Sequence, residues 1–257
     1  MKLRNVILPL LTLTLAIWAW EYIVHAYAIE PFILPAPSLI ARTLVADWSL
    51  LAPALFNTLL VTLMALVLAV VWGVGFALLF ASSKGLEHAF MPFAIFLQVT
   101  PIIAVAPLIL IYMPDAMSAM LLIAFMVAFF PILSNTTFGL NSTDRNLRDL
   151  FKLYGANKLQ TLFLLQLPFA QPAFLNGLKI ASGLALIGAV VAEFAAGSVG
   201  SGAGLAFRLM EASYRLNIPR VFACLVLITL SGLVLYLIFS ALSYLLLRKW
   251  HESAIRI

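Results

Sequence analysis

The segment LRDLFKLYGANKLQTLFLLQLP, Leu147 to Pro168, differs from the rest of the chain and decides how the chain is organised. Charged residues recur every few positions, a glycine interrupts the segment at position 155, and the segment ends at a proline. Long apolar runs flank it on both sides. This pattern predicts an amphipathic element that stays outside the apolar surroundings of its neighbours.

The composition identifies those surroundings as a membrane. The chain has 257 residues, of which 64% are hydrophobic and 10% are charged, whereas a soluble domain carries about 25% charged residues. The apolar runs are helix-length and lack the alternation that is typical of a transmembrane β-barrel. We therefore expect an all-α integral membrane protein.

Six segments reach the length of about 20 residues that a bilayer requires. The predicted spans are residues 5–24, 54–81, 88–113, 116–138, 171–196 and 220–247. Residues 141–168 then form a loop between the fourth and fifth spans. We expect the whole chain, residues 1–257, to form a single transmembrane domain.

The first predicted span has an alternative interpretation. The basic start MKLRN and the triplet Ala26–Ala28 resemble a signal peptide with its cleavage site. The apolar run from Val6 to Trp20 is long for a signal peptide, and Trp18 and Tyr22 are typical of a membrane interface. A retained helix is therefore favoured over a cleaved signal.

The distribution of the fifteen lysine and arginine residues predicts the orientation, because these residues are enriched in cytoplasmic loops. Cytosolic termini place eleven of them in the cytosol: Lys2, Arg4, Lys84, Arg145, Arg148, Lys152, Lys158, Lys179, Arg248, Lys249 and Arg256. The remaining four are then outside: Arg42, Arg208, Arg215 and Arg220. The inverted topology would reverse this ratio, so we expect the 141–168 loop and both termini to be cytosolic.

The cytosolic loop is predicted to be a helix, a turn and a second helix. Asn141 to Asp144 is typical of a helix N-cap, and Gly155 is typical of a helix end. The second helix is predicted from about residue 157 to 166, after which Pro168 and Pro172 break the chain. The apolar face of the first helix combines residues at helical spacing: Leu147, Leu150, Phe151 and Tyr154.

The apolar face of this loop is open to two interpretations. It could lie on lipid headgroups as an amphipathic surface helix. Alternatively, its apolar residues could fill a groove on a cytosolic partner.

The spacing within the loop resembles that of ABC importer permeases, the binding-protein-dependent inner-membrane components. Their loop carries EAA, three residues, Gly, nine residues and then I-x-L-P. Here Asp149–Phe151 occupies the EAA position, Gly155 is the glycine, and Leu165–Pro168 follows after nine residues. Aspartate keeps the negative charge, whereas leucine and phenylalanine replace two alanines. The resemblance implies that these residues contact the ATPase: Asp149, Leu150, Phe151, Lys152, Tyr154, Gly155 and Ala156.

Three further motifs extend the resemblance over roughly residues 30–248 and indicate the nitrate, sulfonate and taurine branch. Leu34–Ser38 resembles L-P-x-P-S, Thr100–Leu108 resembles I-P-x-x-A-x-x-P-L, and Val191–Glu193 resembles V-A-E. Ile111–Asp115 departs from the W-F-G-x-G that is usual after the second motif. The resemblance implies a type I importer permease with six transmembrane helices and a cytoplasmic coupling helix, located in a bacterial inner membrane.

The resemblance also implies partners. Such permeases work in pairs, here expected to be a homodimer, with a pair of ATPase subunits inside and a periplasmic or lipid-anchored substrate-binding protein outside. The chain lacks the G-x-x-x-x-G-K-[ST] phosphate loop, so ATP and Mg are expected on the ATPase rather than on this chain, which is expected to bind no cofactor. The glycine-rich Gly197–Gly204 is expected to be a flexible turn. No metal is expected, because three histidines lie far apart: His25, His88 and His251.

The expected mechanism is alternating access, in which the helix before Gly155 follows the ATPase and proline-kinked spans repack. The kinks are expected at Pro101, Pro107 and Pro131. The tentative pathway residues are Glu193, Ser182, Ala189, Gln98, Thr100 and Asn135.

Each pathway assignment has an alternative. The small residues of the fifth span could serve only close helix packing, and Glu193 could form a salt bridge with Arg208 or Arg215. Gln98, Thr100 and Asn135 could simply hydrogen-bond between helices.

Two other classes of function remain as alternatives. A secondary transporter without an ATPase would favour inverted repeats or broken helices in matched halves, which the sequence does not reveal. An intramembrane enzyme is the weakest alternative, because no carboxylate pair or Ser/His pair falls at matching depth. The sequence does not distinguish among sulfonate, taurine, nitrate and pyrimidine solutes.

Overall fold

The computed structural model describes residues 4–197 and 202–248, with side chains from residue 7 onward. Several sequence predictions fall outside these residues, namely those on Lys2, Lys249, His251 and Arg256 and half of the turn expected at 197–204. The described helices are α1 (Arg4–Ala26), α2 (Pro37–Ala46), α3 (Trp48–Ser82), α4 (Lys84–Val99), α5 (Ile102–Tyr112), α6 (Ala116–Asn141), α7 (Arg145–Leu153), α8 (Lys158–Thr161), α9 (Leu167–Ala196), α10 (Leu205–Tyr214) and α11 (Ile218–Leu247).

Among the described residues, five helical segments are long and apolar enough to cross a membrane, or six if the bent pair α4 and α5 forms one span. The fold is therefore all-α and membrane-spanning, as the sequence predicts. The segments are α1, α3, α6, α11 and the continuous stretch Lys158–Ala196.

The third predicted span, 88–113, is not one helix. Helices α4 and α5 meet at Thr100 and Pro101 with a bend of 101°. A residue before proline is driven out of the α region, and Thr100 has ψ 126°. Pro101 has no N–H to continue the hydrogen-bond ladder. Pro107 and Pro131 lie inside α5 and α6, so the break expected from kinked prolines is concentrated at Pro101.

The chain is also not broken where Pro168 and Pro172 were expected to break it. The second loop helix α8 spans only four residues and continues through a π-helical turn, Leu162–Gln166, into α9. The Leu167 N–H bonds to the Leu162 carbonyl within this wider turn. Pro168 then stands directly after this wider turn, so its missing N–H falls where the ladder changes from π-helical to α-helical spacing.

Two compact units divide the described chain, and the larger, Leu59–Ala196 with residues from Gly232 onward, is built around α6 and α9. Glycines let these two helices approach closely. A Cβ added at Gly188 would lie 2.7 Å from the Ala124 Cα, and one at Gly177 would lie 2.8 Å from the Pro131 carbonyl oxygen. Small residues of the fifth span therefore serve packing at these positions.

The second unit runs to Thr58 and includes Gly197–Ser231. Its apolar core contains Ile40 of α2, Leu205 of α10 and Cys224 of α11. The Arg220 guanidinium donates to the Asp47 carboxylate at 2.6 Å, which ties the start of α11 to the end of α2. This ion pair is half-buried.

The start of α2 is fixed by Glu21, a role that the sequence reading missed. The Glu21 carboxylate accepts the Ser38 N–H at 3.0 Å and the Ser38 hydroxyl at 2.6 Å. It thereby satisfies a backbone donor at a helix start that has no side-chain cap of its own. The LPAPS motif thus supplies Pro37 at the first helical position and the serine that binds α1.

Candidate coupling site and transport pathway

The helix α7 is tied to the end of α6. The Asp144 carboxylate caps α7 by accepting the Asn146 N–H at 2.6 Å. The Arg148 guanidinium donates to the carbonyls of Leu140 and Asn141, at 2.8 and 3.3 Å, which belong to the last turn of α6. A cation at a helix C-terminus also complements the helix dipole. These bonds connect α7 directly to the last turn of α6.

The other end of α7 is closed by a Schellman turn at Gly155. The Gly155 N–H bonds to the Lys152 carbonyl at 2.9 Å, and the Ala156 N–H bonds to the Phe151 carbonyl at 3.0 Å. Gly155 has φ +71°, which favours glycine. No atom lies within 4 Å of a Cβ added there, so backbone conformation and not lack of space selects glycine.

The apolar surface of α7 is exposed, and it differs in part from the predicted face. Tyr154 is 83% exposed and Leu150 is exposed, as predicted, but Phe151 is half-buried. Leu153, which lies outside the predicted face, is 85% exposed. A cluster of large exposed apolar side chains at the end of a short helix indicates a binding surface.

The segment after the turn extends this surface. Asn157 and Gln160 form a reciprocal capping box, with both bonds at 2.8 Å, which fixes the direction of α8. Leu159 and Phe163 follow it as exposed apolar side chains. We define the coupling surface as Leu150, Leu153, Tyr154 and Leu159.

The acidic residue of the loop motif is available at the surface. The Asp149 carboxylate accepts from the Lys152 ammonium at 3.2 Å, and both side chains are exposed. Such exposed pairs contribute little to stability. Asp149 and Lys152 can therefore exchange this contact for charges on a partner at little cost.

The tentative pathway residues fall into three groups. Ser182, Ala189 and Glu193 lie on one face of α9 and are all buried, and Ala189 belongs to a core cluster with Ile123 and Ala124. The Ser182 hydroxyl donates to the Lys179 carbonyl at 2.8 Å. Burial of Ser182 and Ala189 favours a packing role in this conformation.

Asn135 is held within the contact between α6 and α9. Its side-chain amide donates to the Pro131 carbonyl at 2.9 Å and accepts from Asn176 at 3.3 Å. These bonds support the alternative in which Asn135 connects helices.

Gln98 and Thr100 come together at the break between α4 and α5. Both line a cavity of about 250 Å³ with Met126, Pro131 and Leu184. Gln98 is exposed, and the Thr100 hydroxyl donates to the Phe96 carbonyl at 2.7 Å. Among the tentative pathway residues, these two share a space that a small solute could enter.

The smaller unit carries a charged cluster on α10. Glu211 accepts from Arg208 and from Arg215, each at 2.9 Å. The hydrogen bond from Arg208 and the charge of Arg215 lower the pKa of Glu211 below its ordinary value. Both arginines considered as partners of Glu193 thus bind Glu211. Glu193 itself is buried, at 1% exposure.

Within residues 4–197 and 202–248, no three His, Cys, Asp or Glu side chains are grouped to hold a metal ion.

Comparison with known proteins identifies the family. Residues 69–252 match the family model of the binding-protein-dependent transport system inner membrane component. A probable ABC transporter permease of Haemophilus influenzae is 30% identical over 92% of this chain and 94% of its own. The formylaminopyrimidine transport permease ThiX of Halalkalibacterium halodurans is 32% identical, covering 87% and 88%. The riboflavin permease RibX of Chloroflexus aurantiacus is 33% identical, covering 94% and 89%.

Permeases named for aliphatic sulfonates, nitrate and taurine are also similar, at 26% to 29% identity. These matches confirm the resemblance found in the loop and in the three motifs. They exclude the secondary-transporter alternative, since the relatives are subunits of ABC importers. The chain belongs to the binding-protein-dependent inner-membrane components and is the permease of an ATP-driven importer whose ATPase is a separate subunit.

Proposed function

We propose that the ATPase subunit binds this permease at the coupling surface on α7 and α8. The observation that carries the proposal is the exposure of Leu153 and Tyr154 beside a rigid Schellman turn. Such residues would fill a groove on a protein partner as helix-in-groove recognition does. The motif residues Asp149, Lys152 and Ala156 flank this surface, and Phe151 supports it from the half-buried side.

Transport then follows by alternating access. Closure of the ATPase pair around ATP and Mg displaces α7, and the bonds from Arg148 to the last carbonyls of α6 pass that displacement into the membrane. Helix α6 packs tightly against α9, so the two move together. The break at Pro101 gives α4 and α5 freedom to change their angle.

The cavity at this break is the proposed part of the pathway. Gln98 and Thr100 would offer hydrogen bonds to a passing solute. Glu193 stays a predicted gating residue, and uptake that is unchanged in Glu193→Gln would remove it from the pathway.

The assembly is proposed to contain two copies of this chain, each acting as a single transmembrane domain with cytosolic termini. The excess of lysine and arginine on one side supports this orientation. A substrate-binding protein would dock on the opposite side, where α2 and the charged cluster of α10 are expected, and charge would orient it.

The cargo is proposed to be a small nitrogen heterocycle. The relatives named for formylaminopyrimidine and riboflavin are 32% and 33% identical over most of the chain, against 26% to 29% for those named for sulfonates, nitrate and taurine. Calorimetry on the substrate-binding protein of this importer tests the proposal. Binding of taurine or nitrate, with no binding of pyrimidines or flavins, would contradict it.

Binding of the ATPase at the coupling surface is tested by the double variant Leu153→Ser, Tyr154→Ser in the assembled importer. The matched control is Ile111→Ser, Tyr112→Ser, an equally exposed aliphatic and tyrosine pair at the end of α5. The first variant should insert normally but lose ATPase copurification and uptake, and the control should retain the ATPase. Retention of the ATPase by both variants would exclude the coupling surface.

A further inference from the structure

A basic cavity lies beside α7, on the face of this helix opposite Leu150 and Tyr154, and Leu159 of α8 borders it. It has a volume of about 300 Å³ and is formed by the end of α3, by α7, by α8 and by the π-helical turn. Three cations line it, Arg148, Lys152 and Lys158, together with the neutral polar side chains Ser82, Thr161 and Gln166. No carboxylate is among its lining residues in the described chain.

The cations of this cavity are incompletely neutralised. Lys158 forms no ion pair with any other described residue, and Lys152 has only its exposed contact with Asp149. The Nε of Arg148 is buried and finds no hydrogen-bond acceptor among the described residues, although the other end of its guanidinium is bonded. A buried donor without an acceptor carries a free-energy cost. An anion in the cavity could supply that acceptor.

The position of the cavity indicates which anion. Ser82 is the last residue of α3, one of the membrane-spanning candidates, so the cavity lies where the apolar span ends. Leu159 lines the cavity and is itself exposed, and Phe163 of the adjoining turn is exposed as well. A phosphate here would thus have apolar surface beside it, as the headgroup of a phospholipid requires.

The ATPase is not the expected occupant. Arg148 and Lys152 are four residues apart and share one face of α7, whereas Leu150 and Tyr154 lie on the opposite face at 100° per residue. A partner that binds Leu150 and Tyr154 therefore leaves the Arg148 face of α7 turned towards the membrane-spanning helices.

We propose that this cavity binds the phosphate of an anionic phospholipid of the cytoplasmic leaflet. The inference rests on the proposed cytosolic position of the loop. The phosphate would accept from Arg148 Nε and from the ammonium groups of Lys152 and Lys158. Because Arg148 also holds the end of α6, a bound headgroup would stiffen the connection between α7 and the membrane-spanning helices.

The test is native mass spectrometry of the full-length chain in neutral detergent, titrated with phosphatidylglycerol or with phosphatidylcholine of the same acyl chains. We expect tighter binding of phosphatidylglycerol. Lys158→Gln and Lys152→Gln should each weaken it about fivefold, the effect of one cation near an anionic lipid, without changing phosphatidylcholine binding. The matched control is Arg145→Gln, which removes a charge from α7 outside the cavity and should have little effect.

Several results would overturn the proposal. These are equal binding of both lipids, an equal loss in Arg145→Gln, or no loss in either lysine variant. Displacement of the lipid by soluble glycerol 1-phosphate at similar concentrations would identify a free phosphate ligand instead. Loss of ATPase copurification in Lys158→Gln, with lipid preference intact, would assign the cavity to the ATPase interface. Lipid binding is measured without the ATPase. A negative result for the lipid therefore does not affect the test of Leu153 and Tyr154.

Discussion

Gly155 and Arg148 position the coupling helix α7 by different physical means. Gly155 supplies a left-handed backbone conformation at φ +71°, in open space. Arg148 supplies hydrogen bonds to carbonyls of α6. The first sets the direction of the chain after α7, and the second ties α7 to the last turn of α6.

At Gly155, backbone strain can be separated from steric bulk. Gly155→Val should distort the turn, since the left-handed conformation costs a side-chain-bearing residue about 1–2 kcal/mol. Gly155→Asn should be milder, because asparagine tolerates this region. We expect uptake in vesicles to fall strongly for the valine variant and only modestly for asparagine, with membrane insertion equal. Equal loss in both variants would show that bulk, and so a tight partner contact, decides.

Glu211 predicts a pH dependence of the stability of the smaller unit. Its pKa is lowered from the ordinary 4.5, so the folded protein favours the ionised form. The resulting stabilisation is complete above the ordinary pKa and is lost as pH falls through the lowered one. Glu211→Gln should therefore reduce the Tm at pH 7, and the difference from the wild type should vanish in acid. A difference that persists unchanged below that pKa would contradict the ion-pair origin.

At the scale of elements, α6 and α9 form a close contact, because small residues remove the side chains that would separate them. Gly177 and Gly188 are in contact with α6, whereas nothing lies within 4 Å of a Cβ added at Gly183. Glycines of α9 thus differ in role: at Gly177 and Gly188 a side chain would clash with α6, whereas at Gly183 it would meet open space. The composition of the helix does not reveal this difference.

These glycines make a matched pair of substitutions. Gly188→Ala places a methyl group 2.7 Å from the backbone of Ala124, and overpacking of this kind costs about 1–3 kcal/mol. Gly183→Ala meets open space and should stabilise the helix by about 0.5–1 kcal/mol. Thermal unfolding in detergent should thus move the two variants in opposite directions. A stabilised Gly188→Ala would show that α6 and α9 separate easily.

The sequence predicts helix boundaries well where capping residues set them. It predicts them poorly where the hydrogen-bond geometry around a proline sets them. The start of α7 at Asp144 and its end at Gly155 follow from capping chemistry. The break at Pro101 was underestimated, because proline in a membrane helix is compatible with either a kink or a full break. Pro168 gave the opposite error, since the preceding π-helical turn cannot be read from a hydrophobic pattern.

The position of the candidate site in the sequence was predictable, but the set of side chains that it exposes was not. Spacing placed the loop motif around Gly155, yet helical periodicity assigned Phe151 to the exposed face and omitted Leu153. Exposure depends on which neighbours cover a helix, and those contacts are long-range in sequence. The same limit applies to Glu21, whose bonds to Ser38 cross seventeen positions.

For the whole molecule, the distribution of cations and the position of the coupling surface both bear on the orientation of the chain in the membrane. The loop that carries the coupling surface also carries Arg145, Arg148, Lys152 and Lys158, a concentration expected of a cytosolic segment. An ATPase that uses cytosolic ATP must meet the permease on that side. The charge distribution and the proposed function therefore predict the same orientation.

This orientation can be measured with the chain almost as it stands. Its single cysteine, Cys224, is fully buried and should not react with a membrane-impermeant maleimide. Tyr154→Cys and Tyr112→Cys then place one reactive thiol at each of two exposed positions. In intact cells the reagent should label only Tyr112→Cys, and in inverted vesicles only Tyr154→Cys. Labelling of both from one side would refute the topology, and with it the proposed meeting of α7 with a cytosolic ATPase.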